Sequence, residues 1–464
     1  MDKILENRFY TYQIDDKYFY YDSITSVISE STIKLNSTIE RLKHENIDTI
    51  KNNAMKEQDI ETYKYISKLE KLIKSTDYLC DNGVQFTRKK AQVKNLADDT
   101  KTCNTLWLSI SHTCNMNCIY CFGQGGNYGG PETMMSKETA KESIDLFFSK
   151  VDNNTKRIKV NFFGGEPLTN KKVLIYSVDY INKVAVKKGI KVKYLIDTNG
   201  TLLDDEIINV FIENNFEVII SIDGVEEIQN KNRPLRIEGN SFEIIMNNVR
   251  KLNRLNKKVT ARMTLTKDAM RNFKKSVFEL WDRGFSYIFF EMVSTSMSDL
   301  KVTGEDLEEF RQQLSEVAEV TYKNIISGID KEVLNLTKKF DIIHKRNIGT
   351  ECSYYSPYTL MFTPEGEIYN CFWMFGKEEH KIGTIKHGIC KSVRDRVYKE
   401  DDMCRACWAK RICGGGCLCK EITHSGEKED NFEVYCNQRK IVIAEVLKLY
   451  TKLSYENALA NICG

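Results

Sequence analysis

Three cysteines fall in one short stretch, Cys114-Asn-Met-Asn-Cys118-Ile-Tyr120-Cys121, spaced C-x3-C-x2-C. Three thiolates can hold three irons of a 4Fe–4S cube and leave the fourth iron open, and an open iron can chelate a substrate. A structural zinc site asks for four ligands, and only His112 stands near enough in sequence to add one. The run Leu106-Trp-Leu-Ser-Ile110 just before the loop reads as a buried strand. The loop then sits at a strand's C-terminal end, where barrel folds carry their chemistry.

A second cysteine field begins at Cys352. Gly366 and Cys371 follow in G-x4-C spacing, then Cys404-x2-Cys407-x5-Cys413-x3-Cys417, and finally Cys436. Paired structural zinc ribbons are one account of such a field. The count is informative, because two four-cysteine clusters need eight thiolates and this field offers seven. Cys390 and Cys419 are candidates for the missing ligand. Cys80, Cys103 and Cys463 lack partner spacing and read as isolated thiols, with Cys463 able to serve as a mobile ligand. Fifteen cysteines in a chain with no signal-peptide core point to metal clusters in a reducing cytoplasm rather than to disulfides.

The elements that must position these cysteines alternate. Strands are expected at 106–110, 157–163, 191–197, 217–222, 258–265 and 286–293, with helices at about 136–151, 170–187, 203–214, 241–255, 268–283 and 303–327. Six β/α units make a partial parallel barrel. Ahead of it, 8–14, 18–21 and 26–29 read as three short strands, followed by helices at 31–43 and 56–75. In the second of these, Ile60, Tyr63, Ile66, Leu69 and Leu72 recur at three-residue steps as one apolar face. The expected organisation is α/β: a winged-helix-like module at 1–95 with a linker at 86–102, the barrel at 96–330, and a cysteine-rich domain at 331–464. Lys+Arg at 68 against Asp+Glu at 65 gives no basic field for nucleic acid, and no run approaches the ~18 apolar residues of a membrane span.

Each strand end offers a contact. The second closes in Phe162-Phe-Gly164-Gly165-Glu166-Pro167, where paired glycines let backbone come close to a ligand. The third ends in Asp197-Thr-Asn199-Gly200, and the fourth in Ser221-Ile-Asp223-Gly224 with Arg233-Pro234 beyond. The Asn-Gly and Asp-Gly pairs also serve as turns. Arg262 lies in the inward alternation of the fifth strand, facing either a cofactor carboxylate or Glu291. Val293 closes the sixth strand as core packing or as an adenine wall.

The first loop, with an aromatic residue before its last cysteine, resembles the radical SAM signature, and Gly164-Gly165-Glu166-Pro167 resembles that superfamily's GGEP motif. The resemblance implies a 4Fe–4S cube on Cys114, Cys118 and Cys121 that binds S-adenosylmethionine (SAM) and yields a 5′-deoxyadenosyl radical. It puts Tyr120, Phe122, Gly164, Gly165, Glu166, Asn199, Ser221, Arg233 and Val293 against that cofactor. Glu166 and its glycines would meet the methionine amino group, Arg233 the carboxylate, and Ser221 and Asn199 the ribose.

The later field resembles the SPASM domain, which implies two auxiliary 4Fe–4S clusters: an outer one on Cys404, Cys407, Cys413 and Cys436, and an inner one on Cys352, Cys371 and Cys417 with an open iron. Tyr18-Phe-Tyr-Tyr-Asp-Ser-Ile-Thr-Ser-Val-Ile resembles the leader-peptide recognition domain of peptide-modifying enzymes, which implies strand addition at the third strand's edge. The whole order resembles maturases of Cys-rich peptides, the SCIFF-type thioether and other sactipeptide synthases. The implied activity joins a peptide's cysteine sulfur to carbon, with electrons from a donor such as flavodoxin or ferredoxin. Alternatives are formylglycine formation or carbon–carbon crosslinking, and a non-catalytic leader-binding iron–sulfur scaffold.

Overall fold

Six parallel strands set the architecture. The computed structural model describes residues 7–81, 103–295, 297–349, 352–390, 404, 407–417 and 429–461. After the N-terminal strands β1 (Phe9–Ile14), β2 (Lys17–Asp22) and β3 (Val27–Ser31) come β4 (Thr105–Ser111), β5 (Arg157–Gly164), β6 (Lys191–Thr198), β7 (Glu217–Ser221), β8 (Val259–Leu265) and β9 (Tyr287–Met292). Strands β4 to β9 lie side by side in chain order, all parallel. Parallel neighbours need crossover connections, and helices supply them.

The sheet continues at both sides. β10 (Glu332–Val333) pairs with β9, and β11 (Thr359–Phe362) runs parallel to β4. An antiparallel meander of β12 (Glu367–Tyr369), β13 (Gly383–Thr384) and β14 (Gly388–Ile389) completes it. Among the described residues no helix is long and apolar enough to cross a membrane.

Local chemistry places the boundaries. Ser136, Asp204, Asn240 and Thr266 each cap a crossover helix by accepting a backbone N–H in its first turn, worth about 1 kcal/mol apiece. The expected helix at 268–283 is two, Lys267–Arg271 and Phe273–Asp282. Asn272 leaves helical geometry between them, and its amide donates back to the Asp268 carbonyl. In β8 and β9 the alternation buries Val259, Ala261, Met263, Leu265, Ile288 and Phe290 beneath the helices. The period of two turns Arg262, Thr264, Phe289 and Glu291 to the opposite face.

The N-terminal strands form a separate antiparallel sheet, β1-β2-β3. Helices Ile33–Arg41, Ile47–Lys56 and Ile60–Asp81 follow, the middle one unexpected from the sequence. In the third, the buried stripe is Ile66, Leu69 and Ile73, while Ile60 is 66 % exposed. Steps of three residues drift by about 60° each around a helix of 3.6 residues per turn. A run of such steps therefore leaves the face it started on. The linker expected at 86–102 lies outside the described residues.

This module docks on the C-terminal part of the chain. The Tyr10 ring stacks on Trp408 at 3.9 Å, and the Tyr12 hydroxyl meets that of Thr451 at 2.8 Å. Arg411 spans three segments, donating to the carbonyls of Ile24 and, at 2.6 and 3.4 Å, of Arg346 and Asn347. The turn that presents Ile24 is itself pinned. Asp22 holds the buried Arg8 through two 2.9 Å contacts and also accepts from the Ile24 N–H and the Thr25 hydroxyl. Arg411→Ala removes charge-assisted bonds worth about 1.5–3 kcal/mol each. Amides of residues 17–31 are expected to exchange faster in that variant, with β5 to β7 unchanged, by hydrogen-exchange mass spectrometry.

Candidate active site

The cysteine loop leaves β4 and is laced to the chain beyond β7. Asn117 N–H donates to the Pro234 carbonyl at 2.8 Å, Ile119 N–H to Asn232 at 3.0 Å, and Arg236 N–H back to Asn115 at 3.0 Å. On its other side the loop meets the end of β5. A Cβ on Gly126 would stand 2.6 Å from the Gly165 Cα, and one on Gly165 would stand 2.8 Å from the Gly126 Cα. Only glycines allow this approach, and it is what lets the cysteine loop lie on the Gly164-Gly165 turn.

A cavity of about 370 Å³ opens there. One wall carries Cys114, Cys118 and Cys121. Cys352, Cys371 and Cys417 also line it, arriving from the chain around β11 and from the chain ahead of the C-terminal helix Glu429–Tyr455. Between them Phe122 lies on Trp373 with ring centres 4.1 Å apart, and Phe372 packs on Phe163 at 5.0 Å. Tyr120, Phe122, Gly164, Gly165, Asn199, Ser221, Arg233 and Val293 all line this cavity.

Glu166 does not line it, which redirects the reading of the Gly-Gly-Glu motif. It is fully buried behind the wall, and its carboxylate accepts from Leu168 N–H at 2.9 Å, the Thr198 hydroxyl at 2.7 Å and Asn199 N–H at 2.6 Å. Glu166 thereby ties the end of β5 to the end of β6. Burial pushes its carboxyl up to about 7 against the pull of those donors.

A second buried anion organises the next strand end. Asp223 accepts from the Tyr120 hydroxyl at 2.5 Å, Arg233 Nε at 3.0 Å and Thr264 N–H at 3.0 Å. The guanidinium so held lies over the Tyr120 ring at 5.3 Å and reaches within 4.0 Å of Cys118 Sγ. Asp223, read from the sequence only as part of a turn, is therefore the residue that orients both Tyr120 and Arg233. Its signal was a carboxylate at a strand end ten residues before an arginine.

Arg262 pairs with Asp197 at 3.0 Å, a partner the sequence reading did not name. His112 stays out of the cysteine wall and packs against Tyr128 and Phe375.

Cys404, Cys407, Cys413 and Cys436 surround a second, small cavity of about 30 Å³. Cys390 lines neither cavity. It is exposed and donates to the His387 and Gly388 carbonyls. Cys103 is buried against the Pro357 carbonyl. Cys419, Cys463 and the Cys80 side chain lie outside the described residues.

The donor sets suit iron–sulfur groups. Burial pushes the Cys114 thiol up to about 12, with the Glu166 charge adding to it, and the Cys118 thiol up to about 11. Burial likewise raises Cys436 to about 12. Thiolates gathered in such surroundings need a bound cation to offset their charge. Among the described residues no three His, Cys, Asp or Glu side chains converge as ligands of one ion. A four-iron cube spreads its ligands over separate metal atoms. Cys114, Cys118 and Cys121, gathered on one loop at the cavity, suit one such group.

Glu166→Gln keeps the volume but turns an amide N–H toward groups that are all donors. A loss of about 1–3 kcal/mol is expected for an unsatisfied buried pair, read as a lower unfolding midpoint. Asp223→Ala leaves Arg233 buried without its carboxylate and should cost more, about 3–5 kcal/mol, in the same measurement.

Comparison with known proteins agrees with this geometry. Residues 108–277 match the family model of the Radical SAM superfamily. The chain is 24 % identical over 381 residues to a cysteine-type anaerobic sulfatase-maturating enzyme of Clostridium novyi, covering 76 % of this chain and 97 % of that one. It is 28 % identical over 186 residues to the radical SAM cyclopropyl synthase TigE of Paramaledivibacter caminithermalis, 37 % of each chain. A solved structure of anSMEcpe with bound AdoMet superposes with a TM-score of 0.64 at 18 % identity, covering 76 % of this chain and 99 % of that one. The same protein with AdoMet and a Cp18Cys peptide gives the same values. Parallel strands in chain order, a three-cysteine loop at their C-terminal ends and the match to the family model converge on one conclusion: residues 108–277 carry the radical SAM fold.

Proposed function

We propose that this chain matures a ribosomally made, Cys-rich precursor peptide by joining a cysteine sulfur to a carbon as a thioether. One observation carries the reading: Cys352, Cys371 and Cys417 line the same cavity as Cys114, Cys118 and Cys121. A set of three thiolates leaves a coordination position for a thiolate from outside. When bound, a 4Fe–4S cube with SAM supplies an organic radical able to take a hydrogen atom from carbon. The chain's own residues do the rest. Arg233, fixed by Asp223, offers a cation beside Cys118 for the SAM carboxylate, while Asn199 and Ser221 line the side proposed for the ribose. Phe122, Phe372 and Trp373 present an apolar wall that limits water near the reacting carbon.

The electron count closes. The carbon loses a hydrogen atom and the thiol loses a proton. Cys352, Cys371 and Cys417 would hold the group that supplies an acceptor for the one electron left over when carbon and sulfur bond. A donor such as flavodoxin or ferredoxin supplies the electron that starts the cycle, in a reducing cytoplasm. β3 pairs only with β2 among the described strands, so its outer edge is open to an added leader strand within the module at 1–95. Such docking raises the local concentration of the core peptide.

The likeness to sulfatase-maturating enzymes favours a second reading, formylglycine formation on a peptide cysteine or serine. The product separates the two. A thioether loses a pair of hydrogens, retains every sulfur and resists alkylation, whereas formylglycine made from cysteine loses sulfur.

With SAM, dithionite and a candidate Cys-rich peptide, Cys118→Ala should form no 5′-deoxyadenosine. Cys417→Ala should still form it and yield no thioether. Thioether product from the Cys417→Ala protein would refute the role given to the inner set.

A further inference from the structure

Arg439 stands between the two auxiliary sites. It lies three residues after Cys436 on the helix Glu429–Tyr455, and residues so spaced share a face. Its Nε donates to Cys413 Sγ at 3.2 Å, its Nη2 to the Cys413 carbonyl at 3.5 Å, and its Nη1 to the Tyr435 hydroxyl at 3.0 Å. Gly416, Tyr435 and Arg439 are the residues common to the walls of both cavities. The chain between Cys413 and Cys417 turns through three glycines, each at positive φ of 73° to 84°. That turn sends Cys413 to the outer set and Cys417 to the inner set, with the Arg439 side chain filling the corner.

The chemistry of that corner is specific. A guanidinium keeps its charge at every pH a protein meets and cannot accept a proton. A sulfur that accepts its N–H is best served as a metal-bound thiolate. Reducing an iron–sulfur cluster adds one negative charge. A fixed cation that hydrogen-bonds a ligand sulfur stabilises the reduced form and raises the potential.

We propose that Arg439 raises the potential of the outer centre above that of the inner one, so that an electron left on the inner centre moves outward across the Gly416–Tyr435 partition. In that step the inner centre is oxidised by one electron and the outer is reduced by one, with no proton required. Arg439 acts through Cys413 and not on the peptide. The inference rests on the reading of both cysteine sets as cluster ligands.

The test uses the full chain, reconstituted anaerobically with iron and sulfide, with Cys114, Cys118 and Cys121 replaced by Ala so that only auxiliary signals remain. Redox titration followed by electron paramagnetic resonance compares the parent with Arg439→Gln and Arg439→Lys. In Arg439→Gln the outer centre's midpoint is expected to fall enough to move the electron's distribution tenfold toward the inner centre, about 59 mV for a one-electron couple. Arg439→Lys, which keeps the charge but not the planar fork, should fall less. An unchanged outer midpoint in Arg439→Gln, with iron content retained, would overturn the inference. Should Arg439→Gln lose the outer centre, the parent-to-Lys shift decides: a fall supports the proposal and no change overturns it. If Cys404→Ala removes neither iron nor signal, the assignment of ligands has failed, and the role of Arg439 with it.

Discussion

Strand β11 lies parallel to β4, with Thr359 opposite Thr105 and Phe362 opposite Leu108. That register decides where five cysteines end up. β4 delivers the loop of Cys114, Cys118 and Cys121, while the chain around β11 delivers Cys352 before it and Cys371 after it. A slip of one residue would turn the side chains of β11 to the opposite face and carry both flanking cysteines away from the cavity. Leu360 and Phe362 are fully buried in the main core on β11's apolar face, and Met361 packs with Tyr369 and Cys371 on the other. Hydrophobic burial on both faces therefore holds the geometry on which the proposed reaction depends.

Two buried carboxylates brace the strand ends around the cavity. Glu166 draws the ends of β5 and β6 together, and Asp223 orients Tyr120 and Arg233 beside Cys118. An unpaired charge in such surroundings would cost several kcal/mol. Their value lies in leaving the cavity-lining groups Tyr120, Arg233 and Asn199 one orientation each. The same logic appears farther out, where Arg8, Asp22 and Arg411 lock the N-terminal sheet to the chain between Cys407 and Cys413. A leader strand added at β3 would sit one turn away from that lock.

Much of this was legible in the sequence because the signals are short-range. β-branched and aromatic runs, alternating in β8 and β9, mark the strands, and the observed β4 to β9 differ from expectation only at their ends. The apportionment of cysteines came from the resemblance to the SPASM domain and not from spacing; Cys352, Cys371 and Cys417 line the larger cavity, and Cys404, Cys407, Cys413 and Cys436 the smaller one. What escaped was long-range pairing. Nothing near Glu166 announces that Thr198 and Asn199 will occupy its carboxylate. Nothing near Arg262 announces Asp197 rather than Glu291. Asn272 splits a helix through a side-chain bond that helical periodicity does not register.

The central claim is that the inner set, Cys352, Cys371 and Cys417, leaves one iron for the sulfur of a guest peptide. The most direct measurement is electron paramagnetic resonance of the reduced inner centre, in protein lacking Cys114, Cys118 and Cys121. Spectra would be taken before and after adding a Cys-rich peptide, and again with its Cys→Ser analogue. The account predicts that the inner signal shifts with the thiol peptide and stays fixed with the serine analogue. A signal unmoved by the thiol peptide, under conditions where the peptide is shown to bind, would contradict it.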